Sequence, residues 1–193
     1  MVVVEREPPL LVCADYDAIT DEHGVQSPIL IGYETSESNE CHLLYGENCT
    51  DAFIESLEEL AVEVDGADRK VVVLFHNLKG YDGTFLLQHC YENHREVTNN
   101  VSIGAKVLSF RSDRITFKDS LCFLPFPLSA FPGTFGLTKR HKGYFPRLFN
   151  TAENHVYEVT IPDIQFYNPD GMSPKKRDDI LQWHANKVAT NYR

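Results

Sequence analysis

Lys70-Val-Val-Val-Leu-Phe-His-Asn-Leu-Lys-Gly-Tyr-Asp-Gly-Thr-Phe-Leu-Leu87 decides the fold of this chain. Every position from Val71 to Phe75 is apolar, as in a central strand covered on both faces, whereas Gly83 to Asn93 turns to helical spacing. A buried strand feeding straight into a helix, with another strand beyond, predicts a crossover unit. Asn77 and Asp82 then fall in the loop between strand and helix.

Upstream, Leu10-Leu-Val-Cys-Ala-Asp-Tyr-Asp-Ala-Ile-Thr20 reads as a first buried strand that ends in carboxylates, followed by turn residues from Gly24 to Pro28. Pro28 to Thr35 and Cys41 to Gly46 predict two further short strands in an antiparallel meander. From Thr50 the period changes: Phe53, Ile54, Leu57, Leu60 and Ala61 fall on one helical face, with Thr50 or Asp51 as the N-cap. Downstream, Ala105 to Arg111 and Arg114 to Ser120 alternate and are separated by Ser112-Asp113, which predicts a hairpin. Leu124 to Pro146 is rich in proline and predicted irregular. A last helix starts at Pro174 behind Ser173 as N-cap. This order of elements predicts a mixed α/β sheet.

With 193 residues the chain fits one compact domain, and 42% hydrophobic with 24% charged residues excludes global disorder. No apolar run approaches the roughly 18 residues of a membrane span, and the start, Met1-Val-Val-Val-Glu-Arg-Glu, lacks the pattern of a secretory signal. The expectation is a soluble intracellular protein without a membrane partner. Five cysteines at 13, 41, 49, 90 and 122 lack CxxC spacing and predict reduced thiols. A net charge of −10 excludes a surface that grips phosphate throughout, but it is compatible with a nuclease that gathers carboxylates around divalent ions.

Asp15 and Asp17, one residue apart on a strand, emerge on the same face about 7 Å apart. Two such carboxylates can share hard cations such as Mg²⁺, although an isolated DxD more often marks two solvated side chains. Asp82 adds a third acid. Beside it, Asn77 can donate and accept hydrogen bonds, and Tyr81 and Phe85 offer aromatic faces for base stacking; a helix-capping aspartate in a tight turn is the plainer alternative. Lys139, Arg140, Lys142 and Arg147, interleaved with Phe135, Tyr144 and Phe145, form the one local basic strip, suited to a single strand or simply to solvent. Cys41, His42 and Cys49 do not have the spacing of a tetrahedral zinc site. Cys90 with His89 or His94 reads as helix packing rather than a nucleophile and its base.

Ala14-Asp-Tyr-Asp17 resembles the first exonuclease motif of family B DNA polymerases, usually DxE, and Asn77 through Asp82 is similar to their second. Ser120-Leu-Cys-Phe-Leu124 and Lys142-Gly-Tyr-Phe145 resemble two motifs of the protein-primed branch, known from certain phages, adenoviruses and Polinton-type elements. The similarity runs from about Leu10 to His184, and Tyr167 to Trp183 most resembles the Polinton-like members. Two departures stand out: Asp17 replaces the usual glutamate, and the Tyr-x-x-x-Asp third motif is not found.

The resemblance implies a ribonuclease H-like α/β fold, a mixed sheet flanked by helices. It implies that residues 1–193 are one incomplete 3′→5′ exonuclease domain without palm, fingers or thumb. Asp15, Asp17 and Asp82 are then the catalytic and metal-binding residues for two Mg²⁺ or Mn²⁺ ions. Asn77, Tyr81, Phe85, Ser120, Leu121, Phe123 and Lys142 would hold the 3′ end of single-stranded DNA. A terminal primer protein is the implied partner of the parent polymerase. The competing expectation is an inactive transposon- or virus-derived remnant that at most binds single-stranded DNA.

Overall fold

A computed structural model describes residues 8–21, 23–38, 40–61, 69–137, 143–154, 157 and 160–190. The chain divides into two compact units, one ending at Leu128 and one beginning at Ser129.

The first unit is built on a seven-stranded mixed sheet. Its strands are β1 (Leu10–Thr20), β2 (Gln26–Thr35), β3 (His42–Tyr45), β4 (Val71–Phe75), β5 (Thr98–Ile103), β6 (Lys106–Ser112) and β7 (Ile115–Asp119), in the spatial order β3-β2-β1-β4-β7-β6-β5. β1, β4 and β7 run parallel in the middle, and antiparallel strands extend the sheet on both sides. The meander, the central strand and the 106–119 hairpin all match the sequence expectation. Helices α1 (Cys49–Leu60) and α2 (Asp82–Glu92) make the connections on either side of β4.

Strict alternation explains how β1 is seated: Leu10, Val12, Ala14 and Tyr16 are buried, and Leu11, Cys13, Asp15 and Asp17 are exposed. The inward set joins Phe53, Ile54 and Leu57 of α1, Val71, Val73 and Phe75 of β4, Leu86 of α2 and Phe117 of β7 in one core. Aromatic rings fill its centre. Tyr16 stacks on Phe75 with centroids 5.7 Å apart and meets Phe53 and Phe85 edge-on.

Two expectations need correction. Helix α1 begins at Cys49, with Asn48 as its N-cap, so neither Thr50 nor Asp51 caps it. Thr50 instead accepts the Tyr16 hydroxyl at 3.1 Å, and Asp51 pairs with His89 of α2 at 2.7 Å; both side chains serve tertiary contacts. Strand β5 was not legible. Its sequence Thr98-Asn-Asn-Val-Ser-Ile103 is polar and wholly exposed, so it has no alternation to betray it.

In the second unit, α3 (Phe131–Phe135) is a single short helix within the proline-rich stretch, and α4 (Pro174–Ala189) begins behind Ser173 as expected. Trp183 and His184 of α4 pack on Tyr167. Among the described residues no helix is long and apolar enough to cross a membrane.

Candidate functional site

The C-terminal ends of β1, β4 and β7 meet at one edge of the sheet, where ligands of open α/β sheets commonly bind. Tyr16 anchors the first of them. Its ring lies in the core and its hydroxyl is tied to Thr50, so the flanking Asp15 and Asp17 are held on the opposite, exposed face. Beside them the β1–β2 register shifts between Asp17 and Ala18. Burial pushes the Tyr16 phenol well above its usual range, which leaves it a structural group rather than an acid.

β4 delivers the second part. Asn77 adopts a left-handed φ of 80°, a conformation that asparagine tolerates better than most residues. Its side chain is exposed, while the next residue, Leu78, is fully buried. The turn closes with the Gly80 amide donating to the Asn77 carbonyl and the Gly83 amide to the Leu78 carbonyl. A Cβ at Gly83 would stand 2.8 Å from that second carbonyl oxygen, so no larger residue fits without a shift of main chain. Tyr81 leans across the turn onto β1, where its hydroxyl donates to the Tyr16 carbonyl at 3.2 Å, between the two aspartates in sequence. Phe85 departs from expectation. It is 7% exposed, packed against Tyr16 and Tyr81, and it supports the Tyr81 ring rather than offering a face to a base.

Asp82, the first residue of α2, is 6% exposed, and its Oδ1 is buried with no hydrogen-bond partner. Burial first, then the negative charges of Asp15 and Asp119, raise its carboxyl pKa from 3.8 to about 7. An orphaned carboxylate oxygen next to a second carboxylate is the arrangement a cation would relieve, so this pair fits a divalent metal. Asp15, Asp17 and Asp82 do not, however, close into a three-ligand group, and among the described residues no three His, Cys, Asp or Glu side chains do.

β7 supplies the third part, Asp119, which together with His76 at the end of β4 was not singled out from sequence. Asp119 is 1% exposed; its Oδ1 accepts the amides of Asn77 (3.0 Å) and Leu121 (2.9 Å), and its Oδ2 the amide of Lys79 (3.3 Å). His76 bridges the same two segments, with Nε2 3.0 Å from the Phe126 carbonyl and Nδ1 3.0 Å from the Ser120 hydroxyl. A carbonyl only accepts, so Nε2 donates there, and in the neutral ring Nδ1 accepts from Ser120. An aspartate directly before Ser-Leu at a strand end is a recognisable capping signal, and it caps the short 3₁₀ turn Ser120–Cys122. Ser120 is buried, Leu121 half-buried, and Phe123 is 55% exposed.

Lys142, with Lys139 and Arg140, lies outside the described residues. Of the rest of that strip, Arg147 and Phe145 are exposed, and Tyr144 packs against Trp183 with centroids 5.2 Å apart. Cys49 is buried and His42 stacks on Tyr33. Burial raises the Cys90 thiol, the opposite of nucleophile activation.

A family model described as "DNA polymerase type B, organellar and viral" matches residues 66–189. No curated protein matches the sequence. Among solved structures, the chain is similar to phi29 DNA polymerase complexed with single-stranded DNA, at 20% identity and a TM-score of 0.53, over 71% of this chain and 26% of that one. It is also similar to the primer-template binary complex of the same polymerase (19% identity, TM-score 0.53, 70% and 25% coverage). The ternary complex with incoming nucleotide is matched over 89% of this chain and 28% of that one, at 15% identity and a TM-score of 0.54. These likenesses establish a common fold, and the chain spans about a quarter of the phage polymerase's length.

Proposed function

The chain belongs to the type B DNA polymerases of organelles and viruses, and from that membership we propose that it forms a 3′→5′ exonuclease part of a protein-primed polymerase. The reaction is hydrolysis of the 3′-terminal phosphodiester of single-stranded DNA. Nucleotide polymerisation and contact with a terminal primer protein belong, in this reading, to parts of such a polymerase that the chain does not span.

One observation carries the proposal: a buried, partnerless carboxylate oxygen on Asp82, close enough to Asp15 to feel its charge, at the sheet edge where the Asn77–Lys79 and Ser120–Leu121 segments meet. Asp15, Asp17 and Asp82 would hold Mg²⁺ or Mn²⁺. When bound, such ions activate water and neutralise charge on the leaving oxygen. Around them, Asn77 presents an exposed carboxamide able to bond phosphate, sugar or base. Tyr81 and Phe123 present partly open rings to unstacked bases. The Ser120 hydroxyl lies 3.0 Å from His76 Nδ1, and where it donates there its oxygen keeps lone pairs for a donor on the strand. Leu121, half-buried on the same turn, completes the proposed path among the described residues.

A second reading has support of its own. No three-ligand group closes among the described residues, and Asp17 is one methylene shorter than glutamate, as expected of a remnant that binds DNA without cutting it. Incubation of 5′-labelled single-stranded DNA with Mn²⁺ separates the two. Shortening from the 3′ end that disappears in Asp82→Ala supports the exonuclease. Binding with no shortening in the unaltered chain leaves the remnant.

A further inference from the structure

The segments read above as strand-holding come from loops far apart in sequence, yet they are joined beneath the surface by one carboxylate. Asp119 accepts amides from Asn77 and Lys79 on one side and from Leu121 on the other, at 3.0, 3.3 and 2.9 Å, and is almost wholly buried. A second tie runs parallel to it, from Ser120 through His76 to the Phe126 carbonyl. Asn77 is held at a positive φ, which a loop without such an anchor would relax.

We propose that Asp119 is a positioning residue for the bound strand. By gathering three main-chain amides on one carboxylate, it locks the Asn77–Lys79 loop to the Ser120–Leu121 turn, and the two present a single preassembled surface. This rests on the reading that these segments bind single-stranded DNA. A buried carboxylate that accepts several amides is a strong, directional anchor. Preassembly favours binding because the loops need not be ordered when the strand arrives. Asp119 itself touches no DNA in this scheme, so its loss should weaken binding without changing the number of phosphate contacts.

The experiment uses the full chain, a fluorescein-labelled oligo(dT) as probe, and amide hydrogen exchange. In Asp119→Ala, exchange protection at Asn77, Lys79 and Leu121 should fall while Val73 and Phe117 in the central strands stay protected. The oligonucleotide Kd should rise about tenfold, with an unchanged slope of log Kd against log salt, since that slope counts phosphate contacts. Asp119→Asn keeps one carbonyl oxygen for the Asn77 and Leu121 amides, so it should restore their protection and most of the affinity. This covers the case in which the alanine variant fails to fold. Unaltered affinity in an alanine variant that has lost those protections overturns the proposal, as does a changed salt slope. An unaltered chain that does not bind oligo(dT) overturns the strand-binding reading itself, a different result recognisable before any variant is made.

Discussion

Asp82 ties structure to pH more tightly than any other residue at the site. Burial first, and then repulsion by Asp15 and Asp119, push its carboxyl up to about 7 in the folded chain from the ordinary 3.8. Between those values the folded chain keeps a proton that the unfolded chain has lost, so Asp82 favours folding fully below the lower value and loses that effect as pH rises through 7. Asp82→Asn should therefore stabilise the metal-free protein by about 1–3 kcal/mol at pH 8. The gain should vanish near pH 4, as read from urea unfolding of both proteins across that range. Because a cation binds only the ionised form, the thermal shift produced by Mn²⁺ should grow from pH 6 to 8 in the native chain and be absent in the variant. Asp15, Asp17, Asn77 and Asp82 were legible because each pair lies within a few residues on one strand or one loop. Asp119 and His76 were not. Their partners lie between 40 and 50 residues away, apart from the local Leu121 amide, and sequence spacing carries no trace of such bonds.

Packing between elements seats that edge. Helix α1 contributes Phe53, fully buried among Tyr16, Tyr33 and Phe75, and its truncation removes the packing that seats β1. Phe53→Ala should cost about 3–5 kcal/mol in chemical denaturation. Tyr16→Phe, which deletes only the bond to Thr50, should cost about 1 kcal/mol. A third substitution tests the entry to α2. Gly83→Ala drives a methyl to 2.8 Å from the Leu78 carbonyl oxygen, and the main chain must give way, so a loss of about 1–3 kcal/mol is expected. The period of α1 made that helix readable, whereas its exact start was not, because Thr50 and Asp51 resemble caps but are drawn into contacts with β1 and α2. β5 escaped for the opposite reason: a fully exposed edge strand obeys no burial pattern.

At the scale of the whole molecule, every residue of the hydrophobic core cluster precedes Leu128, as does every described residue of the candidate site. The central strands pair β1 with β4 and β4 with β7, so the sheet's long-range registers are also complete before that point. A domain is a stretch of chain that owns its core. A chain ended after Leu128 should therefore unfold cooperatively in urea, with amide protection at Val73 and Phe117 matching that of the full chain. Its affinity for oligo(dT) should fall by less than about tenfold, because the deleted part carries the basic strip around Lys142 and Arg147, and each phosphate contact contributes modestly and in a salt-dependent way. A smaller salt slope with an intact fold would place that strip on the strand path. A non-cooperative or aggregating product would mean that the core relies on residues beyond Leu128, and the site would then have to be understood from the whole chain.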